Sequence, residues 1–309
     1  MKTFKATLTP LSSFGTPAKG DTLFGQLCWV LRYRLGEERL LELLEGYTDG
    51  RPFLVVSDVL PAGHLPRPAL PGHWFNRLPD ADRKEVKKRL WMPIEHFQEP
   101  VADWLRYCCS IATTIVPHPH NSIDRRTGTT GEGFAPYSME RIWYGNGTAL
   151  DIYLVLDESR LSATDLEHAL RDMGELGFGR DASIGLGRFR VDTFGPACLP
   201  SQTDANAWLT LAPCAPQGLP WQAERSFYTV FTRFGRHGDI GVHLGNPFKA
   251  PILLADTAAV LTPAQFNHTP FVGQGLGSDG SLSKAIPATV HQGYAPVVGI
   301  CLPAAREIA

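Results

Sequence analysis

The segment at residues 177–189 constrains this chain more than any other, because it interrupts regular structure with four glycines in thirteen residues. It also carries two arginines and a serine, and its candidate contacts are Gly177, Gly179, Arg180, Ser183, Gly185, Gly187 and Arg188. Glycine lets a backbone approach a ligand closely, and arginine and serine side chains bind phosphate groups. A mobile surface hairpin is the alternative, but the density of arginine beside glycine favours a binding loop.

The sequence on either side of this segment argues against the common nucleotide-binding loops. No Gly-Lys-Ser or Gly-Lys-Thr follows, so the segment is not a Walker loop. A predicted helix precedes it, with a capping box at Thr164 and Glu167 and an end at Gly174, whereas a dinucleotide fingerprint follows a strand. The segment therefore joins a helix to a strand that includes Arg190.

The chain opens with a predicted strand, loop and helix. Residues 2–10 alternate polar and apolar side chains, which is typical of a half-buried strand, and Asp21 can cap a helix that Gly36 ends. A loop before a helix presents backbone N–H groups and the positive end of the helix dipole, which suits an anion. The alternative is an ordinary connection between strand and helix, and the local sequence favours it. The candidate contacts in this loop are Phe14, Gly15 and Lys19.

A long polar segment dotted with glycine follows His118 and runs to Gly133, between strand-like stretches. Long ordered loops inside compact domains tend to be functional. Its candidate ligand contacts are His120, Asn121, Ile123, Arg125 and Arg126. The strands predicted after it cover residues 137–143 and 149–156. Earlier in the chain, residues 80–97 predict a charged helix, and charge runs of this kind usually form a solvent-exposed helix face.

Residues 195–205 are rich in Pro, Ser and polar residues and predict a linker, which divides the chain into domains at 1–195 and 205–309. The second domain has short strand-like segments around a further glycine cluster at residues 273–277. Each half thus carries a predicted glycine-rich loop before a late strand, which hints at duplication of a fold. The candidate contacts in the second half are Arg233, Arg236, Lys249, Gly273 and Gly275.

Composition limits the class of protein. The 309 residues are 43% hydrophobic and 19% charged, so an ordered globular chain is expected. A net charge of −2 argues against holding nucleic acid by bulk electrostatics, and any RNA site must be a local patch. Six cysteines occur without a Cys-x-x-Cys pair, so neither a zinc ribbon nor a redox motif is indicated, and no metal or cofactor is predicted. Without a long apolar run or a signal peptide, we expect a cytoplasmic protein that does not enter membranes.

Taken in order, several segments resemble the RAMP superfamily of CRISPR-associated proteins, and specifically the family that caps the guide-RNA 5′ handle in type III-A Csm complexes. The matching segments are Phe14-Gly15-Thr16 with Asp21-Thr22-Leu23-Phe24-Gly25, Ser57-Asp58, Leu65-Pro66-Arg67-Pro68, His120-Asn121-Ser122-Ile123-Asp124-Arg125, residues 177–189, Asn246-Pro247-Phe248-Lys249 and Gly293-Tyr294-Ala295-Pro296. The cluster at residues 273–277 lacks the arginines of the first loop and is the weakest match.

The resemblance implies an α+β fold with two ferredoxin-like domains, glycine-rich loops and an inserted thumb hairpin. It implies a non-catalytic scaffold that binds the crRNA 5′ handle and contacts target RNA near the handle–spacer junction. It also implies two protein partners, a large polymerase-like CRISPR subunit and a repeated backbone RAMP subunit.

Two alternatives to this scaffold remain. The first is a metal-independent endoribonuclease that processes CRISPR repeats, for which His118 and His120 are candidate bases on one face if their segment is a strand. Pro117 and Pro119 interrupt that segment, and no further cluster of His, Cys or carboxylates lies nearby in the sequence. The second is the equivalent handle-capping subunit of a type III-B complex.

Overall fold

A computed structural model describes residues 1–79, 82–130, 135–145, 147–243 and 246–303. The α-helices in these ranges are α1 (Gly20–Leu35), α2 (Glu37–Leu44), α3 (Arg83–Lys88) and α4 (Ala163–Leu176). The strands are β1 (Lys2–Pro10), β2 (Leu54–Val56), β3 (Leu60–Pro61), β4 (His64–Pro66), β5 (Trp91–Pro93), β6 (Thr113–His120), β7 (Tyr137–Tyr144), β8 (Leu150–Leu156), β9 (Phe189–Pro196), β10 (Ala207–Thr210), β11 (Val230–Arg233), β12 (Ile252–Ala255), β13 (Val260–Leu261), β14 (Phe271–Gly277) and β15 (Val290–Ile300).

The first half is organised around a sheet of order β2-β8-β1-β9, in which β3 also pairs with β8. Every pairing in this sheet is antiparallel. Helices α1 and α4 pack against each other and contribute, with the sheet, to one core, because Leu27, Leu31, Leu166 and Leu170 are fully buried there. Strand β8 is buried along its whole length, which agrees with its mostly apolar sequence. Its one charged residue, Asp151, accepts hydrogen bonds from the Thr7 hydroxyl at 2.8 Å and the Gly63 N–H at 3.0 Å.

A second core lies between the two halves. It contains Trp104 and Tyr153 of the first half and Leu209 and Val298 of the second. The second half has a sheet of order β13-β10-β15-β14 and a separate two-stranded sheet, β11-β12. Within residues 205–243 and 246–303 the structure contains strands and short 3₁₀ turns and no α-helix, so the second predicted ferredoxin-like unit lacks a helical layer there.

Strands β6 and β7 form a hairpin of their own that is inserted before β8. Its eight paired positions run from Thr113 opposite Tyr144 to His120 opposite Tyr137. Ile142 and Tyr144, at its base, pack against the first core, while β6 is exposed over nearly its whole length. The predicted insertion is therefore a projecting hairpin, although residues 131–134 of its loop lie outside the described residues.

Several local predictions are confirmed and several are wrong. Strand β1 and the end of α1 at Gly36 are confirmed. The predicted helix at 80–97 shrinks to α3, because Pro93 cannot continue a helix and Trp91–Pro93 pairs with β4; residues 80–81 are outside the described ranges.

The predicted ends of α4 are also wrong. Ser162, not Thr164, caps α4 by accepting a hydrogen bond from the Asp165 N–H, and the helix continues past Gly174 to Leu176. The cap of α1 is similarly displaced, since Lys19 occupies the N-cap position without a side-chain hydrogen bond and Asp21 lies in the first turn.

The predicted loop at residues 273–277 is strand β14, paired along its length with β15. The glycines serve close packing rather than flexibility. A Cβ on Gly275 would lie 2.4 Å from the Tyr47 carbonyl oxygen, and one on Gly273 would lie 2.1 Å from the Gly293 carbonyl oxygen. Gly273 and Gly275 are thus spacers between packed backbones, and the glycine cluster at residues 273–277 is not a loop.

Candidate RNA interface

Three segments meet at one end of the first sheet: the 177–189 loop, the loop between β1 and α1, and the base of the β6–β7 hairpin. The Gly187 N–H donates to the Ser13 carbonyl at 2.8 Å, and the Arg180 N–H donates to Thr16 Oγ1 at 3.0 Å. Phe14 exchanges backbone hydrogen bonds with Ile142 of β7. Segments that are far apart in sequence therefore form one continuous surface.

Glycine is required where these loops touch. Gly187 has φ +70°, and a Cβ there would lie 2.0 Å from the Phe178 carbonyl oxygen. A Cβ on Gly15 would lie 2.5 Å from the Arg180 carbonyl oxygen. Both contacts are with backbone, which cannot move aside, so these glycines close the loop against the protein itself.

The backbone N–H groups of the loop are largely used internally. Gly179 donates to Gln26 Oε1 at 3.0 Å, Phe178 donates to the Gly187 carbonyl at 2.9 Å, and Arg188 donates to Ser12 Oγ at 2.9 Å. These amides do not point outward at a phosphate. Only side chains of the loop therefore remain to contact a ligand, and those of Ser183 and Arg188 are exposed.

The two arginines of the loop differ in their environment. Arg180 Nη2 donates to the Glu140 carbonyl of β7 at 2.7 Å, and its Nε lies 3.5 Å from the Asp181 carboxylate. Arg180 thus ties the loop to the hairpin. The Arg188 guanidinium makes no hydrogen bond or ion pair within the part of the chain that the structure describes, so its charge faces solvent.

The predicted anion site at the start of α1 is filled by the protein. The Gly20 N–H donates to Asp58 Oδ1 at 2.8 Å, and Lys19 Nζ lies 3.4 Å from Asp58 Oδ2 and 2.6 Å from Asp256 Oδ1. Burial lowers the pKa of Lys19, but the Asp58 and Asp256 carboxylates outweigh it and raise the pKa above its usual value. Lys19 therefore joins the two halves, and buried Phe14 belongs to the core.

The tip of the hairpin carries the exposed residues that the sequence singled out. Asn121, Ile123, Arg125 and Arg126 are exposed, with Ile123 at 55% of its full surface. Asp124 orders the turn, because its carboxylate accepts the Arg126 N–H at 2.8 Å and its backbone pairs with Thr129. Neither arginine has a side-chain partner among the described residues, which leaves two free cations beside an apolar side chain.

The candidate residues of the second half separate into inward and outward groups. Arg233 donates twice to the fully buried Asp21 carboxylate, at 2.7 and 2.9 Å, and is thus neutralised within the protein. Arg236 is exposed, with its guanidinium 5.8 Å from the Phe248 ring centroid. Burial lowers the pKa of Lys249 despite the nearby Cys28 and Asp21.

Sequence reasoning named His118 and His120 but missed Tyr137, Arg141 and Trp143 of the hairpin strands. Tyr137 and Trp143 are half exposed, and the Tyr137 ring stacks on His120 with centroids 5.2 Å apart. His118 and His120 are also in contact, at 5.2 Å. The strand register could have revealed them, because pairing residues 114–120 with 137–143 places these rings and Arg141 on one face of the hairpin.

Taken together, the surface supplies free arginines, a serine and exposed rings, which are the groups that contact phosphates and unpaired bases. Among the described residues, no group of three His, Cys, Asp or Glu side chains is arranged to hold a metal ion. None of the described helices is both long and apolar enough to cross a membrane.

Comparison with solved structures reveals the same fold along nearly the whole chain. A chain of the crystal structure of the Csm1-Csm4 cassette in complex with pppApA matches with a TM-score of 0.60 and 15% identity, covering 97% of this chain and 99% of that one. A chain of the Csm3-Csm4 subcomplex of the type III-A CRISPR-Cas interference complex matches with a TM-score of 0.55 and 12% identity, covering 94% and 99%. At such identities the likeness concerns the fold alone.

Curated protein sequences give no match. A family model does: that of the RAMP superfamily matches residues 19–190, more than half of the chain, and spans α1, the hairpin, α4 and the glycine-rich loop. The resemblance inferred from the sequence motifs is thereby confirmed at the level of the superfamily. This chain belongs to the RAMP superfamily.

Proposed function

We propose that this protein is a non-catalytic subunit of a type III CRISPR interference complex, of the type III-A Csm class, that caps the repeat-derived 5′ handle of the guide RNA in the cytoplasm. The observation that carries the proposal is the set of unpaired cations on the glycine-rich loop and on the hairpin against which that loop packs. Arg188 of the glycine-rich loop and Arg125 and Arg126 of the hairpin lack protein partners among the described residues, and the loop packs directly against the base of the hairpin.

The fold of the first half supports this proposal. The order β1, α1, β2, β8, α4, β9 is the βαββαβ order of a ferredoxin-like unit, with the hairpin and the β3–β5 region inserted between β2 and β8. We assign the ferredoxin-like description to this half, over residues 1–195. For residues 205–309 we propose a second, strand-rich domain that packs on it through the shared core.

The protein partners of the proposal come from the structural neighbours. One chain in each of the Csm1-Csm4 and Csm3-Csm4 structures shares the fold, and by analogy this subunit would bridge a large polymerase-like subunit and a repeated backbone subunit. The equivalent subunit of a type III-B complex remains the nearest alternative within the same superfamily.

The binding test compares two neighbouring arginines. Arg188→Ala removes an unpaired guanidinium, whereas Arg190→Ala removes one whose Nε is held 2.6 Å from the Asp192 carboxylate. Fluorescence titration of handle RNA at several salt concentrations should give a slope of log affinity against log salt that is smaller by about 0.7 for Arg188→Ala. Arg190→Ala serves as the control with an unchanged slope. Equal slopes in all three proteins would contradict a phosphate contact at Arg188.

A ribonuclease is the second candidate function, and one observation favours it. The prolines do not prevent the strand, since His118 and His120 both lie on β6 with their rings in contact. Burial and the nearby Arg141 and His120 lower the pKa of His118, which leaves that imidazole neutral and available as a base at pH 7. Incubation with repeat RNA, with and without divalent metal, distinguishes the candidates. We expect intact RNA; cleavage that disappears in His120→Ala would establish the nuclease instead.

A further inference from the structure

Strand β11 has a hydrogen-bonded neighbour on one side only. It pairs with β12, and β12 exchanges backbone hydrogen bonds on its other side between Ala255 and Cys214. Across the part of the chain that the structure describes, no strand pairs with the remaining side of β11. We call this side, from Tyr228 to Phe234, the outer edge.

Backbone groups along the outer edge are free. The Thr229 carbonyl accepts the Asp256 N–H at 2.8 Å, and the Gly235 carbonyl accepts a hydrogen bond at 2.9 Å from the Lys249 N–H. Both bonds lie on the β12 side, and the backbone groups of alternate residues point to opposite edges of a strand. The N–H and C=O groups that point outward, and make no hydrogen bond among the described residues, belong to Tyr228, Val230, Thr232 and Phe234.

Side chains along the outer edge are exposed and largely apolar. Val230 keeps 63% of its surface exposed and Phe234 keeps 78%. Leu253, directly opposite Thr232 in the register, keeps 58%. Edge strands of stable proteins usually carry Lys or Pro residues that prevent further pairing, and residues 228–234 contain neither. The outer edge is therefore an unprotected template for a further strand.

The opposite face of β11 holds the strand in place. Arg233 pairs with the buried Asp21 carboxylate, and the Phe231 ring centroid lies 5.3 Å from Nζ of a lysine in the first half. On the exposed face, Val230 and Leu253 border a groove of about 500 Å³ whose lining is mostly apolar. A strand that adds here thus meets a preformed edge and a site for one of its side chains, which reduces the entropy cost of binding.

We propose that the outer edge binds an extended segment of another protein, which adds to β11 as an antiparallel strand and places a carboxylate against Arg236. Donors and acceptors recur along the edge about every 7 Å, a spacing that an extended polypeptide matches. From Tyr228 to Phe234 the edge is about 20 Å long, so the added strand needs about seven residues. This inference goes beyond the proposed function, because it concerns a protein ligand and no RNA.

The charge of the edge favours a different chain over a second copy of this one. Arg236 is exposed and makes no ion pair within the described ranges, and its guanidinium lies 5.8 Å from the Phe248 ring centroid. Residues 228–236 contain two arginines and no aspartate or glutamate. Two copies paired edge to edge would bring together more guanidiniums and no carboxylate, whereas opposite charges stabilise neighbouring strands. An acidic residue near the N-terminal end of the added strand would neutralise Arg236.

The test uses the full chain and a fluorescein-labelled nonapeptide, Glu-Thr-Val-Thr-Val-Thr-Val-Thr-Val, with affinity measured by fluorescence polarisation. In the proposed register its glutamate lies opposite Arg236 and its fifth residue lies opposite Thr232. N-methylation of the fifth residue removes an N–H that faces β11 and should weaken binding about tenfold or more. N-methylation of the fourth residue removes an N–H that faces away, so this peptide is the matched control and should bind like the parent.

Two variants of the protein test the same edge. Thr232→Pro removes an outward N–H at a position where an edge strand tolerates proline, and it should weaken binding about tenfold while thermal unfolding shows an intact fold. Arg236→Glu changes no backbone group, and it should weaken binding of the glutamate peptide and favour a peptide that begins with lysine. Thr229→Ala, at a residue whose backbone faces β12, is the control and should leave affinity unchanged.

Three results would overturn the inference. The first is no detectable binding of the nonapeptide at millimolar concentration. The second is equal weakening by both methylated peptides, which would mean adhesion to an apolar surface without strand addition. The third is a dimer of the protein alone in analytical ultracentrifugation that Thr232→Pro dissociates, which would identify a second copy as the occupant. Handle RNA should bind Thr232→Pro and the unchanged protein equally, so a failure here is distinguishable from a failure of the handle cap.

Discussion

The ion pair between Asp21 and Arg233 joins the start of α1 to β11 in the second half. The geometry of this pair indicates how much unfolding free energy its removal would cost. The Asp21 side chain is fully buried, with Arg233 at 2.7 and 2.9 Å and His291 Nε2 at 3.3 Å. Arg233→Ala leaves that carboxylate facing only an imidazole. Breaking one side of a buried pair costs about 3–5 kcal/mol of unfolding free energy, and we expect a loss in this range.

The pKa of Asp21 gives an independent magnitude and a pH signature. Burial alone would raise the pKa, but the facing His291 imidazole and Arg233 guanidinium outweigh it and lower the pKa from 3.8 to about 2. Such a shift corresponds to roughly 2–3 kcal/mol of stability. Because the pKa is lower in the folded state, this contribution is complete above about pH 4 and is lost as pH falls through about 2.

Urea unfolding followed by tryptophan fluorescence measures both quantities. The difference in unfolding free energy between the unchanged protein and Arg233→Ala should be largest at pH 5–7 and should shrink by pH 3, where the variant has already protonated Asp21. Arg236→Ala, three residues further on and exposed, is the control and should change stability by less than about 0.5 kcal/mol. A difference that is constant from pH 7 to 3, or an equal loss in Arg236→Ala, would refute the reasoning.

Two further predictions concern the loop and the hairpin. In thermal unfolding, Gly187→Ala should destabilise the protein by more than Gly185→Ala. Both positions have positive φ, but only a Cβ at 187 would meet the Phe178 backbone, whereas position 185 faces open space. Equal losses of stability would contradict the contact. Deleting residues 122–133 should leave the fold and the handle contact of Arg188 intact and restore base pairing of target RNA at the handle–spacer junction, since Ile123 and its arginines would no longer displace a base. A fluorescent base analogue at the junction reports this, and unstacking that is equal with and without the loop would exclude the displacement.

The parts of the fold that local sequence determines were predictable. Strand β1 alternates regularly, and Gly36 ends α1 because it adopts φ +91° there. Residues 273–277 could not be assigned in the same way. Glycine permits both a flexible loop and a tightly packed strand, and only the approach of Tyr47 from residues far away in sequence decides between them.

Candidate site residues illustrate the same limit for charged side chains. Arg233 and Arg236 lie three residues apart, on either side of Phe234 and Gly235, yet one pairs with the buried Asp21 and the other is exposed. The difference depends on α1, which precedes them by some two hundred residues. The stacked rings of His120 and Tyr137 likewise depend on the hairpin register, which becomes visible only when the two strands are paired.

The small net charge of the chain is compatible with an RNA-binding surface because carboxylates neutralise some arginines and leave others unpaired. Away from the loop and the hairpin, Arg34, Arg171 and Arg233 each pair with a carboxylate, as does Arg190 two residues beyond the loop. The arginines at 125, 126 and 188, on the hairpin tip and the loop, have no carboxylate within ion-pair distance in the described residues, so their charges are not neutralised there although the total charge is −2. The salt dependence of RNA binding at such a surface should come from these few unpaired arginines. For that reason a change at one unpaired arginine is expected to alter the salt dependence of binding, whereas a change at a paired one is not.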